Sequence, residues 1–223
     1  MNSLLRSKIP RPFKVFWLVA ALSSVPSIAA FEQSEKTLNR LDNAEKVPFF
    51  ISTGKGVMGL KASDRDLARA AFAAWSRESG GRLQFVEVDL EEDALIRLMW
   101  TSPDRGLFGQ MHRFHLDGKL GAYVYVMPNV ATLGTELAYH SANDILLRDT
   151  IVYLTCVHEL GHAVGLDHTN NFSDIMYSFA FGGDILEYFL RYRRLLRGRL
   201  DITKHSGLSS NDLQVLLNLY EEN

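Results

Sequence analysis

The distribution of apolar and polar positions divides the chain into short strands, a few helices and one long glycine-punctuated stretch. Val47-Pro48-Phe49-Phe50-Ile51-Ser52 reads as a short strand, with Pro48 favouring a strand start or a sheet edge. Leu67, Ala70, Ala71, Ala74 and Trp75 then recur at helical spacing; Ser63 and Asp66 have the spacing of a capping box, and Gly80-Gly81 stops the helix. Leu83-Gln84-Phe85-Val86-Glu87-Val88 alternates as a half-buried strand does, and 94–100 is a second, mostly apolar strand candidate. Residues 101–121, with Pro103, Gly106, Gly109, Gly118 and Gly121, read as a loop. Ala122-Tyr123-Val124-Tyr125-Val126-Met127 has strand propensity and is closed by Pro128-Asn129. Up to this point the pattern predicts a small sheet backed by one helix.

From about 143 to 165 the pattern predicts a long helix whose middle, 151–157, is almost continuously apolar, the mark of a helix buried on all sides. A final helix starts at Ser209, boxed by Asp212, and places Leu213, Leu216, Leu217 and Tyr220 on one face. Between them, 184–197 reads as a further helix with Ile185, Leu186, Phe189, Leu190, Leu195 and Leu196 apolar and Arg191, Arg193, Arg194 and Arg197 basic.

Composition changes this picture at the N-terminus. Residues 1–30 carry Arg6, Lys8, Arg11 and Lys14 without an acid, then the apolar run 15–25, then Pro26-Ser27-Ile28-Ala29-Ala30, the order of a secretory signal with cleavage near Ala29 or Ala30. The alternative is an uncleaved membrane anchor over 13–30, although Ser23, Ser24, Pro26 and Ser27 weaken the run as a spanning helix. Residues 31–46 form a polar lead-in, and 47–223 are of a size for one domain. The formal charge of −2 becomes −6 once the four basic residues of the leader are set aside, which argues against nucleic acid as a partner. Cys156, the one cysteine among 223 residues, excludes an intramolecular disulfide and reads as a small buried apolar side chain.

The chemistry is concentrated in His158-Glu159-Leu160-Gly161-His162-Ala163-Val164-Gly165-Leu166-Asp167-His168. Residues four apart on a helix project side by side, so His158 and His162 can reach one metal ion. Glu159 lies about 100° further round, where a metal-bound water would sit. Gly165 can end the helix in a left-handed conformation and return the chain so that His168 approaches from outside. Three neutral imidazoles with an open fourth position are the donor set of a catalytic zinc site.

This string resembles the extended zinc signature of the metzincin metallopeptidases, and Ser173-Asp174-Ile175-Met176-Tyr177-Ser178 stands where those proteins have their methionine turn. Within that clan the chain is most similar to the matrixins, through Ala71-Phe72-Ala73-Ala74-Trp75-Ser76 with Leu83-Gln84-Phe85, through Gly165-Leu166-Asp167-His168-Thr169, and through Leu208-Ser209-Ser210-Asn211-Asp212. The resemblance implies an α+β zincin-like catalytic domain with a twisted five-stranded mixed sheet and three main helices, here with an insertion at about 179–207. It implies a zinc-dependent endopeptidase acting on extracytoplasmic protein or peptide substrates. One zinc would be held by His158, His162 and His168, with Glu159 as general base and Met176, followed by Tyr177, packed beneath the histidines. The peptide would lie extended beside the outermost strand, taken as Tyr123, Val124 and Tyr125, and Leu154 would line the pocket for the residue after the cut bond.

The chain also departs from the pattern. It lacks the cysteine with which matrixins are commonly kept latent. His112, His115 and Asp117 fall where animal matrixins hold structural zinc and calcium, but the fuller ligand set is missing and no second metal is expected. The basic helix of the insertion has three readings: packing on the domain with a solvated basic face, docking of a partner or substrate, or contact with a membrane surface through Arg191, Arg193, Arg194 and Arg197. The rival to a peptidase is a zinc-bearing binding protein without catalysis; Glu159, present here, is the residue that such a protein would be expected to lose first.

Overall fold

The computed structural model describes residues 40–42, 45–102 and 108–221; the leader expected at 1–30 and most of the polar lead-in lie outside this range. Five strands form one mixed sheet in the order β2-β1-β3-β5-β4, with β1 at Val47–Ile51, β2 at Phe85–Glu87, β3 at Ile96–Trp100, β4 at Gly109–Leu116 and β5 at Lys119–Val126. β1 runs parallel to β2 and β3, β3 parallel to β5, and β4 antiparallel to β5. The α-helices are α1 (Asp64–Glu78), α2 (Thr135–Asn143), α3 (Ile145–Ala163), α4 (Ile185–Arg193) and α5 (Ser210–Leu219). This is the mixed five-stranded α+β architecture expected, with α4 as the inserted helix and α2 as a short helix that the apolar pattern does not single out.

Alternation explains the sheet. Val47, Phe49 and Ile51 on β1, Ile96, Leu98 and Trp100 on β3, and Ala122, Val124 and Val126 on β5 are all buried, as a period of two on one covered face requires. Phe49 stacks on Phe72 of α1 at 3.8 Å between ring centroids, and Trp75 of α1 donates its indole N–H to the Val157 carbonyl of α3 at 3.0 Å. α3 is buried almost all round, which is why its middle carries no amphipathic stripe. Among the described residues no helix is long and apolar enough to cross a membrane.

The structure corrects the reading of 101–121 as a loop. Its second half is β4, joined to β5 by the two-residue turn Asp117-Gly118, both with positive φ (51° and 78°), between the paired residues Leu116 and Lys119. An Asp-Gly pair with this backbone is a type I′ hairpin turn. β4 escapes the apolar pattern because it is an edge strand, half-buried along most of its length, so alternation is weak. It follows that β4 is the outermost strand on that side, and that Tyr123, Val124 and Tyr125 sit on an interior strand between β3 and β4. His112 and His115, three apart on β4, project to opposite faces of the sheet.

Two smaller differences have local causes. Ser63 makes no side-chain cap to α1. The first residue of the helix, Asp64, is instead completely buried: it accepts from the Lys61 N–H at 2.8 Å and from Arg148 Nη2 at 2.7 Å. The inserted helix ends at Arg193, and the chain continues through a 3-10 turn at Arg199–Thr203.

Arg148 also donates to the carbonyls of Gly59 (2.9 Å) and Pro128 (3.0 Å), and its neighbour Asp149 accepts from Arg199 Nε (2.8 Å). This buried ionic group joins α1, α3, the segment after β1, the segment after β5 and the end of the insertion. Removing one partner of a buried pair leaves the other charge uncompensated. Arg148→Ala is therefore expected to lower the free energy of unfolding by about 3–5 kcal/mol, read from urea denaturation monitored by circular dichroism.

Candidate metal centre

His158, Glu159 and His162 occupy the last turns of α3. The helix then ends on Gly165 (φ 108°), whose N–H bonds to the His162 carbonyl at 3.1 Å while the Leu166 N–H bonds to the Gly161 carbonyl at 2.9 Å. This pair of reversed bonds is the Schellman ending, and a side chain at 165 would strain it. It does two things for the site. It turns the chain so that His168 comes back over the helix, and it brings the Leu166 carbonyl to 2.8 Å from His162 Nδ1. The Ile175 carbonyl, from the segment around Met176, lies 2.6 Å from His158 Nδ1.

These contacts decide the tautomers. A ring nitrogen facing a carbonyl oxygen must donate, so in a neutral imidazole the proton sits on Nδ1 and Nε2 keeps its lone pair. The Nε2 atom of His168 lies 3.2 Å from that of His158 and 3.1 Å from that of His162. The lone pairs of His158 and His162 thus both lie beside His168 Nε2, close enough for one cation to be shared by the three nitrogens. Tetrahedral zinc, with Zn–N near 2.0–2.1 Å, places its ligand nitrogens roughly 3.3 Å apart, so the donor set fits that ion. Burial and the neighbouring His162 push His158 down to about 3, and burial also lowers His162. Neutral imidazole, the form that ligates metal, is thus favoured. Among the described residues these three histidines are the one group able to hold a metal in this way.

Glu159 points from the same turn into the site. Its carboxyl is pushed up to about 8 by burial. A β-carbon at Gly109, the first residue of β4, would stand 2.6–2.9 Å from the Glu159 side chain, so the backbone of the edge strand closes directly on the carboxylate. Arg113, further along β4, donates to the carbonyls of His162 and Ala163 at 2.7 Å each. It thereby satisfies the C-terminal carbonyls of the helix and ties β4 to it.

The floor of the site is built by the segment 169–178. The Thr169 N–H bonds to the Met176 carbonyl (2.8 Å) and the Ser178 N–H to the Thr169 carbonyl (3.0 Å), closing the turn. Met176 is fully buried, and its sulfur fills the space over Gly161, between the two helical histidines. Two buried acids hold this turn against α5. Asp212 accepts from the N–H groups of Ile175 (2.8 Å), Met176 (3.3 Å) and Ser209 (2.8 Å). Asp174 accepts from Ser209 Oγ and Asn211 Nδ2 at 2.7 Å each. The Ser209–Asp212 capping box forms as its spacing predicts, and the same carboxylate serves the floor of the metal centre.

Beside the histidines opens a cavity of about 340 Å³ whose apolar walls include Phe108, Leu154, Tyr177, Phe179, Tyr188 and Phe189. Leu154 is one of the residues lining it. Tyr123, Val124 and Tyr125 are not in this cavity: Val124 is in the core, Tyr123 accepts a 2.6 Å hydrogen bond from Arg97, and Tyr125 stacks near Tyr123 on the uncovered face. Their strand is interior, so its inner side chains meet the helices and its outer ones turn away from the cleft. Sequence reasoning missed Gly109, Arg113 and Tyr188, whose partners lie 13–50 residues away and leave no local signal.

The basic face expected on the insertion is in part turned onto the domain, while Arg194 and Arg197 remain exposed. Arg191 donates to the Phe172 carbonyl and covers the Tyr188 ring at 4.2 Å; Arg193 pairs with Asp144 at 2.8 Å and Arg194 with Glu187. α4 packs on the domain through Leu186, Tyr188, Phe189 and Tyr192.

Comparison with known proteins agrees with this architecture. The family model of the matrixins, peptidase family M10, matches residues 43–183, more than half of the chain. Karilysin of Tannerella forsythia is 30% identical over 129 residues, which cover 55% of this chain and 26% of karilysin, so the chain spans about a quarter of that relative.

The burial of Glu159 has a measurable consequence in the metal-free protein. Its folded-state value near 8 lies above the 4.5 of an unperturbed carboxyl, so its contribution to stability is fully present below about pH 4.5 and is lost as pH rises through 8. Glu159→Gln should therefore melt with the wild type at pH 4 and at a higher temperature than the wild type at pH 8, both stripped of metal, as calorimetry would show.

Proposed function

The chain belongs to the matrixin family of zinc metallopeptidases, and from that premise we propose that it is a zinc-dependent endopeptidase cutting protein substrates outside the cytoplasm. The observation that carries this reading is the convergence of three Nε2 atoms beside a buried carboxyl at the mouth of an apolar cavity. His158, His162 and His168 would hold the zinc. When bound, the ion supplies Lewis acidity that polarises a scissile carbonyl and makes an attacking water more acidic.

The remaining work falls to the chain's own groups. Glu159 takes the proton of the attacking water on a carboxylate oxygen and later delivers it to the nitrogen of the leaving amine. It can act as a base only when ionised, which burial disfavours and positive charge beside it restores. Gly109 lets the edge strand approach the carboxylate without displacing it. Met176 and the carbonyls of Ile175 and Leu166 keep the imidazoles oriented.

An extended peptide adds most readily to the free edge of β4, where main-chain groups face outward. Its side chain after the cut bond would enter the cavity walled by Leu154, Phe108, Phe179 and Phe189, which favours large apolar residues there. The leader-like segment 1–30 supports export, and the domain would occupy 47–223 with its insertion at about 179–207.

The direct test compares the purified protein with its Glu159→Ala variant on a peptide library after metal analysis. One zinc per chain in both proteins, cleavage before large apolar residues, and a loss of about 10²–10⁴-fold in the variant are expected; equal activity in the two would sink the mechanism. Gly109→Ala should retain zinc yet lose roughly 100-fold in kcat, because an ångström of displacement of Glu159 is enough to do so; stopped-flow cleavage of the preferred peptide measures it.

A further inference from the structure

We infer that Tyr188, carried by the inserted helix α4, is a positioning residue for the metal ligand His158, acting through the Ile175 carbonyl that both side chains contact. The inference rests on the metal-site reading above and adds to it a role for the insertion.

The Ile175 oxygen receives two donors: His158 Nδ1 at 2.6 Å and the Tyr188 hydroxyl at 3.1 Å, the latter also 3.0 Å from the Asp174 oxygen. On its other side, the Ile175 N–H is held by Asp212 at 2.8 Å. Residue 175 is thus held at both its N–H and its carbonyl, from α5 and from α4. Without the hydroxyl, the peptide plane of that carbonyl would be held only by the imidazole and by the long 3.3 Å bond from the Met176 N–H to Asp212, and the ring would lose a firmly fixed partner. Orientation of a ligating histidine through its second nitrogen is a known determinant of metal affinity.

The phenol is itself immobilised. It is almost completely buried, lies edge-on to Phe172, Phe179 and Phe189 at 5.6, 5.1 and 5.3 Å, and is covered by the Arg191 guanidinium at 4.2 Å. Arg191, one turn further along the same face of α4, donates to the Phe172 carbonyl and lies 3.4 Å from the Asp174 oxygen. The insertion therefore grips the backbone of the metal-site floor at three carbonyls within four residues: Phe172, Asp174 and Ile175. A helix that merely covered the cavity would have no need of a buried hydroxyl aimed at that backbone.

The test is Tyr188→Phe, which keeps the ring and its packing and deletes the hydroxyl. Its control is Tyr192→Phe, which removes a 2.6 Å hydrogen bond from the same helix to the His205 carbonyl, away from the metal site. Circular dichroism checks the fold, chelator competition measures zinc affinity, and cobalt substitution reports ligand geometry through its visible absorption. Tyr188→Phe is expected to bind zinc about 10-fold more weakly with an altered cobalt spectrum, while Tyr192→Phe matches the wild type in both. Zinc affinity of Tyr188→Phe within twofold of wild type with an unchanged cobalt spectrum overturns the inference, and so does an equal loss in Tyr192→Phe. A wild type that binds zinc no better than His158→Ala overturns the metal-site reading and this inference together.

Discussion

His168 Nε2 lies little more than 3 Å from the Nε2 atoms of both His158 and His162, and the rest of the structure is arranged so that the three nitrogens stay there. The orientation of the two helical rings is imposed from outside the rings. It is imposed by two carbonyls, Leu166 on His162 and Ile175 on His158. The first is delivered by the turn at Gly165, and the second by the turn around Met176. In the neutral rings the carbonyls also fix the tautomer of His158 and His162, leaving Nε2 free to bind a cation.

Each of those turns is itself held by distant chain. Asp174 and Asp212, both buried, lock the Met176 segment to the start of the last helix, and the inserted helix takes the carbonyls on its other side. Arg113 ties the edge strand to the end of the histidine-bearing helix. The Asp64–Arg148 pair, with Asp149 and Arg199, binds the far end of that helix to α1 and to the insertion. These are costly groups to bury, and each is compensated by several partners. Such many-partner polar contacts set the relative placement of elements more sharply than apolar packing alone. The apolar cavity beside the metal centre is then lined from α3, from Phe108 beside β4 and from the insertion together, so its shape belongs to no single element.

What could be read from the chain was local. The spacing of His158 and His162 carries its own geometry because a helix has a fixed pitch; Gly165 announces the turn that returns His168; Ser209 and Asp212 announce the last helix; and the strand-forming runs that became β1, β3 and β5 announce a small sheet. The Asp117-Gly118 turn was available by the same logic, but the surrounding glycines made its strand read as a loop.

Beyond that range the amino-acid order is silent, because the deciding contacts join residues brought together only by folding. Which strand is outermost depended on β4 pairing antiparallel outside β5. That Arg191 and Arg193 of the insertion would turn onto the domain, while Arg194 and Arg197 stay exposed, depended on where Phe172 and Asp144 came to lie. The chain by itself set out the three histidines, the carboxyl between them and the family of the domain. Only the tertiary structure decided which backbone carbonyls orient those donors and which walls shape the pocket, since hydrogen bonds and packing act over a few ångströms and take no account of separation along the sequence.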